Sequence, residues 1–217
     1  MKPADLRGLY EEIANSISHA VGLGLAAAGW SALLVRSLDS HDPWRMVAAI
    51  VFGTCMLSMY TSSVLYHGYQ IQPLKHFFRV CDHITIYFVI AGTFTPFLLV
   101  FDRSPYGWSM LGLIWGMAIA GIFYKVFWFG RPEKESVATY TIMTVAAFLA
   151  AIPVAGQVGT ACLAWLAGGL LSYLIGIYFY LNDQEPYYHT VWHFFVIGGS
   201  TCHYVGIWTY LVGPATS

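Results

Sequence analysis

Seven stretches of this chain run for about 20 residues with almost no charge inside them, the length a helix needs to cross about 30 Å of hydrocarbon. They lie at roughly 14–35, 45–66, 80–101, 107–128, 137–155, 158–181 and 189–212. Together they occupy nearly all of the 217 residues, and the composition agrees, with 58% hydrophobic and 10% charged residues and a mean hydropathy of +0.61. Such a chain takes lipid as its solvent. No stretch alternates apolar and polar residues with period two, as a lipid-facing barrel strand must. The expected fold is therefore all-α, a polytopic bundle of seven transmembrane helices. No linker, low-complexity tract or internal repeat divides it, so residues 1–217 are read as a single domain.

The N-terminal segment "MKPADLRGLYEEIANSISHA" is charged and amphipathic and lacks a short apolar core with a small-residue cleavage site. It reads as the approach to an uncleaved first span and not as a removable signal. Orientation follows from basic residues, which are retained on the cytoplasmic side. Lys2, Arg7, Lys75, Arg79, Lys125, Arg131 and Lys134 fall at the N-terminus or in the second and fourth connections, whereas only Arg36, Arg45 and Arg103 fall in the first and third. That distribution predicts a cytoplasmic N-terminus and, with an odd number of spans, a C-terminus outside.

The formal net charge of −1 carries no information about partners, and no basic patch with interleaved aromatics suggests nucleic acid. Cys55, Cys81, Cys162 and Cys202 have no paired spacing and fall within or at the edges of spans. They read as small buried apolar residues and neither as a disulfide framework nor as a thiolate site.

The expected topology puts His67 at the end of the second helix, Asp82 and His83 at the start of the third, and His189 and His193 at the start of the seventh. All five then lie near the cytoplasmic face, level with Asn15, Ser16 and His19. His189 and His193 are four residues apart, about 40° of rotation and about 6 Å of rise, so their rings point to one place. That spacing holds zinc in the H-E-x-x-H motif, but Thr190, Val191 and Trp192 intervene here and the glutamate is missing. Catalytic zinc takes three protein ligands, and His67 is the candidate for the third. Asp82 is then the base or orienter for the metal's water, although a carboxylate at a helix start also serves as a cap. A lone histidine near a helix end is more often interfacial, whereas a paired spacing with a third histidine and an acid at the same depth favours a metal. His83 points about 100° away from Asp82 and is assigned a structural role or one supporting the ligands from behind, and His203 lies about 15 Å beyond His193, too far to share its metal. A pair of stacked haems lacks the matching histidines on other helices.

Four segments carry a family resemblance: "EEIANSISHAVG" from Glu11, "SSVLYH" ending at His67, "RVCDHITIYFVIAGTFTP" from Arg79 and "HTVWHFFVIGGSTCHY" from His189. Through them almost the whole chain resembles the hemolysin-III family of bacterial membrane proteins, which is similar to the progestin and adipoQ receptors and, more remotely, to the alkaline ceramidases. The resemblance implies a seven-helix fold with an intramembrane Zn2+ held by His67, His189 and His193, with Ser63 and Asp82 beside the metal. Two functions from different classes then stand. One is a zinc-dependent hydrolase of lipid amides or esters in the bacterial inner membrane, with Asp82 as base and Ser63 as donor to the water or the oxyanion. The other is a lipid sensor in which the zinc is structural. The expected partners are membrane lipids. Only about a dozen residues precede the first span, without the long extension of the adiponectin-type receptors, and no water-lined helix face suggests a cytolytic pore.

Overall fold

The computed structural model describes the backbone of residues 3–127 and 133–210, and the side chains of 6–127 and 136–209. Seven long helices occur among them: α1 Pro3–Leu38, α2 Pro43–Gly68, α3 Gln72–Phe101, α4 Pro105–Phe127, α5 Glu133–Ala151, α6 Thr160–Leu181 and α7 Tyr188–Tyr210. There is no strand among the described residues. A short 3-10 turn, Ile152–Val154, and one further helical turn, Ala155–Val158, continue α5 as far as Gly159.

The helix boundaries have local causes. Asp42 caps α2, its carboxylate accepting from Trp44 N at 3.0 Å, and Pro43 occupies the first turn, where a missing N–H costs nothing. Asp102 accepts from Ser104 N at 3.0 Å in the turn between α3 and α4. That turn is so tight that a Cβ on Gly107 would lie 1.8 Å from the Asp102 carbonyl oxygen. Gly159, at φ 77°, supplies the left-handed residue that separates the end of α5 from α6.

Two helices are longer than the apolar stretches predicted. α1 begins before the span because its first turns are amphipathic, with Arg7 and Glu11 paired at 3.0 Å on the exposed side. α3 begins at Gln72, so Asp82 stands nearly three turns inside the helix and not at its start. The capping role considered for Asp82 is thereby excluded, since it lies far from the unpaired amides of the first turn.

Six of the seven helices have the length and apolarity to cross a membrane. The seventh, α7, is equally long but carries His189, His193 and His203, which lower its apolarity. Large side chains face outward along the bundle, such as Ile17, Val21 and Leu25 of α1, which are 59%, 57% and 58% exposed. Their four-residue spacing makes one continuous apolar stripe, the surface a helix presents to lipid.

Neighbour relations arrange α7, α1, α2, α3, α5 and α6 around a ring, with α4 outside against α3 and α5. Leu33, Phe52, Met59, Phe97, Leu166 and Ile207 pack one part of the core, and Tyr87, Phe94, Ile114 and Met143 the other. The ring is closed most weakly between α5 and α6.

Candidate metal centre

Three histidines meet at one end of this ring. α7 presents His189 and His193 from consecutive turns, their ring centroids 4.8 Å apart, and α2 brings His67 to 5.0 Å and 5.1 Å from them. One nitrogen from each ring lies within 4.8 Å of the other two. Three imidazole nitrogens on a tetrahedral ion would be roughly 3.3 Å apart, so small side-chain rotations bring them to a common centre. The group could hold a metal ion.

The tautomers support the fit. His67 Nδ1 donates to Glu12 Oε2 at 2.7 Å, and its buried Nε2 has no hydrogen-bond partner among the described residues. His193 Nδ1 lies 3.1 Å from the Asn15 carbonyl and 2.9 Å from Ser18 Oγ, which itself donates to Asn15 O. A histidine that donates from Nδ1 leaves the lone pair on Nε2 for a metal. His189 Nδ1 faces Asp183 Oδ2 at 3.8 Å. The rings of His67 and His193 are thus held from behind by a carboxylate and a carbonyl, as metal-binding imidazoles ordinarily are.

Most of this support comes from α1. Glu12 also accepts from Lys75 Nζ at 2.9 Å, tying α1 to α3, and Asn15 Oδ1 accepts from Thr190 Oγ1, tying α1 to α7. Sequence reasoning placed Asn15 and His19 at the right depth but overlooked Glu12 and Ser18. Their signal is the helical spacing of Glu12, Asn15, Ser18 and His19, which puts all four near one face of α1. His19 stacks flat on His193, with centroids 3.5 Å apart and ring planes 15° from parallel.

In front of the histidines lies a cavity of about 320 Å³. Ser63, Asp82, His189 and His193 line one end of it, and side chains of α3, α5 and α6 line the apolar remainder. Ser63 is 1% exposed and its Oγ has no hydrogen-bond partner among the described residues. His83, expected to point elsewhere, also lines this cavity. Three lining residues, Val145 and Leu149 of α5 and Leu174 of α6, are 53%, 59% and 48% exposed on the outer face. The cavity therefore reaches the lipid-facing surface sideways, where α5 and α6 make least contact. His203 is kept apart: it is 4% exposed, packs over Gly169 and donates from Nε2 to the Leu166 carbonyl at 3.3 Å.

Comparison with known proteins gives one family, described as haemolysin-III related, whose model matches residues 8–204. Hemolysin-3 of Bacillus cereus is 36% identical over 207 residues, 95% of this chain and 94% of the relative. The hemolysin-3 homolog of Bacillus subtilis (strain 168) is 33% identical, covering 93% of this chain and 95% of the relative. The monocyte to macrophage differentiation factor of Homo sapiens is also 33% identical, over 95% of this chain and 87% of its own length.

Proposed function

Since the chain belongs to the haemolysin-III related family, a multi-pass membrane protein linked through its mammalian relative to the progestin and adipoQ receptors, we propose that it is a zinc-dependent hydrolase of membrane-lipid amides or esters. In this reading the chain is one unit of seven spans in the bacterial inner membrane, with its N-terminus in the cytoplasm, its C-terminus outside and the histidine cluster near the cytoplasmic face. His67, His189 and His193 hold Zn2+, which suits neutral imidazoles in a site without thiolates. Bound there, the ion supplies Lewis acidity and lowers the pKa of water.

The observation that carries the proposal is the cavity, whose polar end meets the histidines and whose apolar remainder reaches the membrane between α5 and α6. A lipid enters sideways, lays its acyl chain along that apolar wall and brings its carbonyl to the polar end. Ser63, buried without a partner among the described residues, donates a hydrogen bond to the oxygen that gains charge as water adds to the carbonyl. Asp82 takes a proton from the attacking water and returns it to the leaving amine or alcohol. The apolar wall, which opens toward lipid, keeps bulk water from the reacting carbonyl.

Asp82→Asn tests the reading, because it keeps the side chain's size and removes the base. The variant is expected to fold and bind zinc as wild type does, and to lose turnover of lipid amides or esters by about 100-fold or more. Equal, non-zero hydrolysis by both proteins would remove Asp82 from the mechanism. If wild type, assayed with its zinc in nanodiscs, cleaves no lipid amide or ester, the sensor with a structural zinc replaces the hydrolase.

A further inference from the structure

His19 is a buried histidine that the hydrolytic machinery leaves unused. It is 3% exposed, it lines the cavity beside Ser63 and His193, and neither of its ring nitrogens has a hydrogen-bond partner among the described residues. A neutral imidazole carries one N–H, and a buried donor left without an acceptor is rare enough to require a reason. Membership of the metal cluster is not that reason. Its ring lies parallel to that of His193, 3.5 Å away and inclined by 15°. An ion at bonding distance from nitrogens of both rings would stand far out of both ring planes, where no lone pair points.

The stack has a different consequence. With His193 against its face and Tyr60 set at 88° to it, ring centroids 5.1 Å apart, the imidazole is clamped in orientation. A donor so fixed beside the cluster selects what lies there. We propose that His19 is a specificity-determining residue that donates its N–H to the carbonyl oxygen of the lipid in the cavity, so that the pocket prefers an acyl amide or ester to a bare hydrocarbon chain. The inference rests on the cavity being a lipid site and does not require that the lipid be cleaved. His19 and Ser63 are then two donors that converge on one acceptor from α1 and α2.

Trp192 lines the same cavity, so its fluorescence, quenched by bromine on an acyl chain, reads occupancy directly. Brominated stearamide and brominated octadecane, the same chain with and without the carbonyl, are titrated against zinc-loaded protein in nanodiscs, with Trp192→Phe subtracting the other tryptophans. Wild type is expected to prefer the amide, with about three- to tenfold of the preference owed to His19, the worth of one neutral hydrogen bond. His19→Phe keeps the flat ring against His193 but has no donor, and is expected to cut the preference by about three- to tenfold, leaving what Ser63 supplies, with zinc content unchanged. His19→Gln restores a donor and is expected to recover much of the loss. The proposal is overturned if wild type shows no preference, if His19→Phe retains it in full, or if His19→Gln loses as much as His19→Phe. If the preference behaves as expected but no lipid is hydrolysed, the hydrolase reading fails and the donor stands. If lipids are hydrolysed and His19→Phe prefers the amide as strongly as wild type, the donor fails and the hydrolase stands.

Discussion

Glu12 shows at the scale of one residue what local spacing can and cannot reveal. His189 and His193 were legible as a pair because four residues on a helix share a face, and that relation needs no tertiary contact. The contact of Glu12 with His67 crosses 55 residues, and those of Asn15 and Ser18 with His193 cross 178 and 175, so no periodicity encodes them. Such partners orient a ligand and raise its basicity, and their loss typically costs 10–100-fold in metal affinity. Purified wild type is expected to hold about one zinc per chain. By metal analysis, His193→Ala should lose most of it and Glu12→Gln should bind it about 10–100-fold more weakly in a chelator competition. His203→Ala should keep full occupancy, since His203 bonds to Leu166 and lies about 15 Å further along α7. Full occupancy in both the His193 and Glu12 variants would make the cluster an interfacial feature.

Elements were found from the sequence wherever burial in lipid required a long apolar run, which is why five of the seven expected spans fall within about four residues of the helices at both ends. The amphipathic first turns of α1 and the early start of α3 were missed because helix formation there does not need a fully apolar stretch; Lys75 and Glu12 are paired within them. The gap between α5 and α6 was not legible either. Both helices read as uniformly apolar, and which faces meet and which stay apart depends on how α3 and α7 space them. That gap is where the proposed lipid entry is tested. Leu149→Trp and Leu174→Trp enlarge side chains that stand at the cavity mouth, 59% and 48% exposed. Both are expected to lower lipid turnover roughly tenfold, by excluding substrate from the pocket, with zinc content unchanged. Undiminished turnover in the double variant would place the entry elsewhere.

At the scale of the whole molecule, the order of helices around the ring brings the ends of α2 and α7, Asp82 within α3 and the middle of α1 to a single depth. Which side of the membrane that depth faces rests on the basic residues, of which Lys2, Arg131 and Lys134 have side chains outside the described residues, as does the C-terminal segment 211–217. A reporter fused after Ser217 is expected to be active outside the cytoplasm; cytoplasmic activity would invert the molecule and put the histidines near the outer face. By itself the sequence determined that the chain lives in lipid, that it is built of helices, and which three histidines and which acid share a depth, because apolar length and helical repeat are local properties. Only the tertiary structure decided that α1 holds the histidines from behind, that Asp82 stands inside a helix, that His19 lies flat on His193, and that a cavity opens sideways between α5 and α6. Each of these depends on side chains far apart in the chain meeting across packed helices, and no local pattern specifies which faces pack together.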